Sequence, residues 1–142
     1  MAQQMTNEEY RSFLLGRPRT ATLATVRADG RPHAAPVWFD LDGDEFVFTT
    51  GESTVKGRNM SRDPRISLCI DEESPPFQFV VIEGTSALTA GDLDLLYWAT
   101  RIGGRYMGAE RADEYGRRNA AEGELLVRVT PRKVVAYKNI SD

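Results

Sequence analysis

Cysteine and histidine each occur once in this chain of 142 residues, as Cys69 and His33. A single cysteine excludes an internal disulfide and any metal site built from several cysteines. A single histidine excludes a histidine-rich zinc cluster, so we predict no metal site. We interpret Cys69 as a small packing residue and His33, which lies beside a turn, as structural or solvent-facing.

Long apolar runs and an excess of positive charge are also missing. The apolar runs are far shorter than the roughly 20 residues that a membrane-spanning helix needs, and residues 1–9 lack the basic and apolar regions of a signal peptide. The formal charge of −3 opposes general nucleic-acid binding, which uses a basic face. We therefore expect a cytoplasmic protein that binds neither nucleic acid nor membrane and meets any anion through a local patch.

What the sequence does contain is the composition of an ordinary globular protein. Hydrophobic residues make up 41% and charged residues 27% of the chain, which is typical of globular domains. The length is close to the commonest domain size. Because no repeat, linker or low-complexity segment divides the chain, we predict a single domain over residues 1–142.

The first half of the chain predicts one helix followed by two hairpins. Thr6 and Glu9 form a capping box that starts the helix, and Gly16-Arg17-Pro18 ends it. Asp-Gly turns separate three segments rich in residues that favour strands. These segments are residues 20–26, 32–39 and 45–50. We expect an antiparallel meander in which the middle strand pairs with both of the others.

The second half alternates strands and helices. Helical spacing begins near Asp92, is interrupted at Gly103-Gly104 and resumes over residues 110–121. Further strands are predicted at residues 65–70, at 77–88 with a bulge or bend at Gly84, and at 125–138. Six antiparallel strands with helices inserted late favour a mainly β fold, a closed or partly closed barrel with short peripheral helices.

Residues 49–65 are predicted to form an anion site around the start of a short helix. Ser53 is the expected N-cap, because a serine oxygen accepts from the unpaired amides of a first helical turn. Backbone donors at a helix start, together with Lys and Arg side chains, are groups that bind a phosphate. The hydroxyls and cations that gather here are Thr49, Thr50, Ser53, Lys56, Arg58 and Arg62. The alternative interpretation is a solvated basic connector between two strands.

A site for a flat ring is predicted next to this segment, on residues 34–39. Pro36 has no amide to give to a sheet, so the backbone of Val37 and Trp38 is free to bond to a ligand there. A heterocycle with an imide edge would bond to that backbone and lie against Trp38 or Phe77. Alternatively, Trp38 is a core aromatic residue, since tryptophan buries a large area.

The motifs occur in the order Ala-Thr-Leu-Ala-Thr, Asp-Gly-Arg-Pro-His, Pro-Val-Trp-Phe, Phe-Thr-Thr, Lys-Gly-Arg-Asn-Met, Asp-Pro-Arg and Val-Ile-Glu-Gly-Thr. This ordered set resembles the pyridoxamine-phosphate-oxidase-like split-barrel flavoproteins. It looks closest to their deazaflavin branch, the F420-dependent oxidoreductases of the B class. The resemblance extends from about Thr20 to Lys138.

The resemblance implies a six-stranded antiparallel split β-barrel of the FMN-binding type. It also implies a homodimer with two cofactor sites at the subunit interface. The ring would lie along Pro36, Val37, Trp38 and Phe39. The ribityl phosphate would be held by Thr49, Thr50, Ser53, Lys56, Arg58 and Asn59. The other subunit would cover the ring with Phe77, Gln78, Phe79 and Val80.

The function implied by the resemblance is hydride transfer from reduced F420 to a conjugated, electron-poor small molecule such as an enone, quinone or tetrapyrrole. The cofactor supplies this chemistry, with Tyr106 as a candidate proton donor or substrate contact, or alternatively an interface aromatic. Arg62 and Arg65 favour F420, because its oligoglutamate tail carries extra carboxylates. The chain ends at Asp142 without the tryptophan and arginine signature of pyridoxamine phosphate oxidases, so we expect no vitamin B6 oxidation.

Two alternatives remain open from the sequence. One is an oxidoreductase of the same fold that uses FMN, because FMN and F420 share the ribityl phosphate. The other is a carrier or sensor that binds F420 or haem without turnover.

Overall fold

A computed structural model describes residues 1–91 and 93–142 and shows a mainly β protein with four α-helices. The strands are β1 Gln3–Gln4, β2 Ala21–Val26, β3 Pro32–Val37, β4 Asp40–Asp42, β5 Glu45–Gly51, β6 Arg65–Glu72, β7 Gln78–Ala90 and β8 Glu124–Lys138. The helices are α1 Asn7–Leu15, α2 Val55–Arg62, α3 Leu93–Met107 and α4 Ala112–Asn119, with a 3₁₀ turn at Ala109–Arg111. The predicted helix start at Asp92 lies outside the described residues.

All the strands belong to one antiparallel sheet, in the order β3-β2-β6-β7-β8-β5-β4, with β1 paired to β8. The two ends of this order, β3 and β4, are consecutive in the chain and are joined only by Trp38 and Phe39. Because two extended residues span only a few ångströms each, the end of β3 and the start of β4 must lie close together, so the sheet has to curl. The architecture is therefore an open sheet rolled toward a barrel.

The rolled sheet encloses the main core. Alternate residues of β6 are buried, Ile66, Leu68 and Ile70, as the alternating pattern predicts. Phe13 and Leu14 of α1 join the same cluster. A smaller cluster on the other face of β5 and β8 holds α3, through Val47, Leu95, Trp98 and Leu126.

Several local predictions are confirmed. The Thr6 side chain accepts from the Glu9 amide at 3.1 Å, and the Glu9 carboxylate accepts from the Thr6 amide at 2.9 Å, which completes the capping box. The β7 and β8 pairing shifts register between Glu83 and Gly84. A Cβ at Gly84 would lie 2.7 Å from Val129 Cγ1, so the bend requires glycine.

The predicted strand count and one predicted pairing are wrong. The sheet has eight strands instead of six, because the short segments β1 and β4 also pair. The strand predicted at 32–39 ends at Val37 and pairs with β2, whereas β4 occupies the place beside β5. Phe39 leaves the ladder because its amide donates instead to the Tyr106 hydroxyl, at 3.1 Å.

The predicted interruption at Gly103-Gly104 is also wrong, since α3 continues through both glycines to Met107. A Cβ at Gly103 would lie 2.6 Å from Tyr115 Cβ, and a Cβ at Gly116 would lie 2.1 Å from Thr100 Oγ1. These glycines let α4 pack closely against α3. In the part of the chain that the structure describes, no helix has both the length and the apolarity needed to cross a membrane.

Candidate functional site

A cleft of about 440 Å³ opens where the two sheet edges meet. It joins the predicted ring site to part of the predicted anion site. Six residues predicted from the sequence line it: Pro36, Val37, Trp38, Thr49, Thr50 and Lys56. Six further residues complete the lining: Thr20, Gly51, Thr54, Ile102, Asn119 and Glu124.

The end of the cleft that is predicted to bind an anion, called the anion end below, is formed by the close approach of α2 to the end of β5. A Cβ at Gly57 would lie 2.3 Å from the carbonyl oxygen of Gly51, so only glycine permits this packing. The Thr50 and Thr54 hydroxyl oxygens lie 3.2 Å apart. The packing therefore brings Lys56, in the first turn of α2, to the hydroxyls at the end of β5.

Thr54 is the N-cap of α2, and the prediction of Ser53 is wrong by one residue. Thr54 Oγ1 accepts from the Gly57 amide at 3.1 Å and donates to the Gly51 carbonyl at 2.7 Å, whereas Ser53 is exposed in the preceding turn. Within residues 1–91 and 93–142, the amides of Val55 and Lys56 donate no hydrogen bond. These two donors at a positive helix end remain available to an anion.

Trp38 forms the wall at the other end of the cleft. Its half-buried ring stacks on Tyr106, with ring centroids 4.9 Å apart and an interplanar angle of 7°, and meets Tyr115 of α4 at 5.9 Å. Ile102 and Asn119 add side chains from α3 and α4. The two late helices therefore complete a wall that begins on the sheet edge.

Tyr106 uses its hydroxyl to hold the backbone behind Trp38. The hydroxyl donates to the Arg19 carbonyl at 2.6 Å and accepts from the Phe39 amide at 3.1 Å. Burial raises the pKa of Tyr106 above its usual range, so the phenol stays protonated and can make both bonds. Tyr106 thus supports the cleft from behind, through Trp38.

The structure separates Lys56 from Arg58 and Asn59, which the sequence placed at one phosphate. Arg58 and Asn59 line a neighbouring cavity of about 320 Å³ together with Arg27 and Arg62. The Asn59 amide donates to Thr25 Oγ1 at 3.0 Å and accepts from the Arg62 guanidinium at 3.1 Å. Asn59 therefore ties α2 to β2, and the two cavities lie on adjacent faces of α2.

Other predicted site residues lie away from the cleft in their own chain. Phe39 is fully buried in the main core, and so is Val80. Phe79 packs against Tyr137, with ring centroids 6.0 Å apart, and Phe77 is 37% exposed. Phe77, Gln78, Phe79 and Val80 form the approach to β7 and its first residues, and none of them lines the cleft.

Glu124 adds a carboxylate to the cleft that the sequence analysis did not select. Burial raises the pKa of Glu124, against the opposing attraction of Lys56. Asn119 and Glu124 were missed because they reach the cleft only through the packing of α4 and the start of β8. Among the residues that the structure describes, no three His, Cys, Asp or Glu side chains could hold a metal ion.

Comparison with known proteins agrees with this fold over almost the whole chain. Residues 6–138 match the family described as pyridoxamine 5'-phosphate oxidase. A pyridoxine/pyridoxamine 5'-phosphate oxidase of Acidothermus cellulolyticus is 33% identical over 101 residues, which cover 66% of this chain and 45% of that protein. That of Pseudomonas paraeruginosa is 32% identical, over 82% of this chain and 54% of that protein. The chain thus spans about half the length of these curated relatives.

Three solved structures share the fold at low sequence identity. A conserved hypothetical protein of Mycobacterium tuberculosis has a TM-score of 0.85 and 23% identity, covering 96% of this chain and 87% of its own. The haem storage protein HutZ of Vibrio cholerae has a TM-score of 0.73 and 20% identity, covering 93% of this chain and 96% of its own. An F420 reductase has a TM-score of 0.62 and 22% identity, with 87% and 94% covered. These likenesses show the fold alone.

Proposed function

The chain belongs to the pyridoxamine 5'-phosphate oxidase family, and on that premise we propose that it is an F420-dependent oxidoreductase of the B class. It would transfer a hydride from reduced F420 to a conjugated, electron-poor small molecule such as an enone, quinone or tetrapyrrole. The observation that carries the proposal is the single cleft that joins Val37 and Trp38 to Thr49, Thr50 and Lys56. Its volume falls within the range of small-molecule sites.

The donor set of the cleft fits a phosphorylated flavin-type cofactor. The phosphate would lie at Thr49, Thr50 and Lys56, where hydroxyls, free helix amides and a cation converge. The ring would lie along Val37 and Trp38, because among residues 1–91 and 93–142 β3 pairs with β2 alone, so the other side of its backbone has no strand partner. Bound F420 would supply the hydride, and this chain would bind it and orient its ring.

The second cavity on α2 supports F420 over FMN. FMN ends at its phosphate, whereas F420 continues into an oligoglutamate tail. Val55, Arg58, Asn59 and Arg62 recur at helical spacing along this cavity, opposite Arg27. Within residues 1–91 and 93–142, neither Arg27 nor Arg58 forms a side-chain ion pair or hydrogen bond. Their charges would meet the tail carboxylates.

Arg65, which the sequence also suggested for the tail, has a different role in this arrangement. Its guanidinium bonds to both carboxylate oxygens of Asp63, at 3.0 and 2.7 Å. The resulting hydrogen bonds lower the pKa of Asp63 to about 2. Arg65 is thus already neutralised by its neighbour, and we assign the tail to Arg27, Arg58 and Arg62.

For Tyr106 we propose positioning in place of proton donation. Replacing Tyr106 by phenylalanine leaves the Phe39 amide and the Arg19 carbonyl without their partner, which should lower the free energy of unfolding by about 1–3 kcal/mol. Cofactor affinity should fall as Trp38 shifts, while the hydride-transfer rate of the loaded enzyme should stay within about threefold of wild type. Urea unfolding, fluorescence titration and single-turnover kinetics measure the three effects.

The matched control for Tyr106 is Tyr10→Phe. The Tyr10 hydroxyl makes no hydrogen bond within the described part of the chain, and burial raises the pKa of Tyr10 to about 12. This control should unfold like wild type. A different outcome would favour Tyr106 as the proton donor: the Tyr106→Phe protein would bind cofactor normally but transfer hydride about a hundred times more slowly, which is the loss expected when a general acid is removed.

We also propose that the protein is a homodimer with a cofactor at each subunit interface. The outer face of the sheet carries a row of opposed residues, Thr22, Cys69, Val81 and Val135. These side chains are small or apolar and only partly covered in one chain. The row adjoins Phe77 to Val80, so a second copy seated on it would carry that segment toward the cleft.

Changing Val81 to glutamate should disrupt this homodimer. A charge placed in an apolar interface must be desolvated without a partner, so the dimer dissociation constant should rise by about a hundredfold. Light scattering at matched concentrations measures the change, and Thr89→Glu, an exposed position on the same strand, is the control. A wild-type monomer, or a Val81→Glu dimer as stable as wild type, would contradict the interface.

A cofactor screen by spectroscopy tests the proposed function. Purified protein is titrated with F420, FMN and haem, and reduced F420 is then offered with a panel of enones, quinones and tetrapyrroles. Tight F420 binding with oxidation of reduced F420 in the presence of an acceptor is the expected result. Preference for FMN would make this an FMN oxidoreductase, and binding without turnover would make it a carrier. The cytoplasmic location stays a prediction from the sequence.

A further inference from the structure

Glu124 places a carboxylate directly beside the proposed phosphate position. It is the first residue of β8 and lies opposite Gly51, the last residue of β5. A Cβ built on Gly51 would lie 4.0 Å from Glu124 Oε1, so the carboxylate covers the end of β5. Across residues 1–91 and 93–142, this carboxylate forms no ion pair or hydrogen bond.

The lining of the cleft contains one positively charged and one negatively charged side chain. Lys56 and Glu124 both line it without forming an ion pair with each other. The other cations of α2, Arg58 and Arg62, line the neighbouring cavity. Thr49 and Thr50 contribute hydroxyls, which carry no charge. An anion that enters the cleft thus meets one cation and one carboxylate.

We infer that Glu124 determines cofactor specificity by selecting a phosphodiester, which carries one negative charge, over a phosphate monoester, which carries two. The inference rests on the proposed function. The phosphate of F420 is a diester and that of FMN is a monoester, whose second pKa of about 6 leaves it almost fully dianionic at about pH 7.5. Lys56 would neutralise the first charge, and Glu124 would repel the second.

The test is the ratio of two dissociation constants in wild type and in Glu124→Gln, which keeps the side-chain size and removes the charge. F420 and FMN are each titrated at about pH 7.5, where the monoester is a dianion. FMN should gain about tenfold more affinity than F420 from the substitution. Riboflavin, which has the same ring as FMN and no phosphate, should bind both proteins equally.

Glu122→Gln is the matched control, because Glu122 is exposed two residues earlier in the chain and is absent from the cleft lining. It should leave the ratio unchanged. If F420 binds and Glu124→Gln leaves the ratio at the wild-type value, the inference is wrong and the proposed function stands. An equal gain for riboflavin and FMN would also overturn the inference, since the effect would then act on the ring. If neither cofactor binds to wild type, both proposals fall together.

Discussion

Replacing Lys56 by alanine should weaken the binding of both F420 and FMN by about ten- to a hundredfold. Lys56 is the cation of the cleft and stands beside the Thr49 and Thr50 hydroxyls. A hydrogen bond to a charged group contributes about 1.5–3 kcal/mol, and about 1.4 kcal/mol corresponds to a tenfold change in affinity. Fluorescence titration of the purified variant with each cofactor measures the loss.

The Arg58→Ala variant tests whether the two cavities on α2 bind different parts of the cofactor. Because Arg58 faces the neighbouring cavity, its loss should weaken F420 by about tenfold through the tail carboxylates and leave FMN nearly unchanged. Lys133→Ala removes an exposed lysine of β8 and should alter neither affinity. Equal losses of affinity for Lys56→Ala and Lys133→Ala would contradict the anion site. An equal effect of Arg58→Ala on both cofactors would indicate that Arg58 binds the phosphate instead of the tail.

Replacing Gly57 by alanine should both destabilise the fold and damage the anion end of the cleft. The new Cβ would lie 2.3 Å from the Gly51 carbonyl oxygen and 3.1 Å from Thr54 Oγ1. Both neighbours are fixed, because Gly51 is paired in β5 and Thr54 caps α2. Overpacking of this kind costs about 1–3 kcal/mol or more, which corresponds to a fall in Tm of roughly 3–10 °C. Calorimetry gives the Tm.

The same substitution should also lower cofactor affinity, because α2 can accept the methyl group only by moving away from β5 and taking Lys56 with it. Gly104→Ala is the matched control. Its Cβ would meet Ala112 Cβ at 3.2 Å, a contact that small shifts relieve, and alanine gains about 0.5–1 kcal/mol in a helix interior. A Gly57→Ala protein as stable as Gly104→Ala, with normal affinity, would show that α2 does not need this close approach.

The sequence predicted that Thr49, Thr50 and Lys56 lie near one another, and the structure brings all three into one cleft, because the signals for their placement are local. Thr49, Thr50 and Lys56 lie within one strand, turn and helix, and the distances between them follow from chain connectivity. The N-cap differed by one residue, since Ser53 and Thr54 have equivalent chemistry and only the helix geometry distinguishes them. The resemblance to the split-barrel family is likewise confirmed at the family level, while the B class and F420 stay predictions.

The remaining wall of the site depends on contacts between distant residues. The Tyr106 hydroxyl accepts from the Phe39 amide across a sequence separation of 67 residues. Because of this contact, β3 ends before residue 39, to which the sequence pattern had extended the predicted strand. Gly103 is a helix breaker by local propensity, yet here its missing side chain lets Tyr115 approach. Neither effect has a local signal, so Ile102, Asn119 and Glu124 were missed.

Because Trp38 and Phe39 connect the two outermost strands of the sheet, a ligand bound in the cleft would also stabilise the rolled sheet. A ligand that touches Val37 on one edge and Thr49 on the other bridges the seam of the rolled sheet. Its binding free energy then opposes unrolling, because the seam cannot part while the ligand stays in place. The bound cofactor would hold the two edges of the sheet together, and its binding would slow hydrogen exchange in β3 and β4 at the same time.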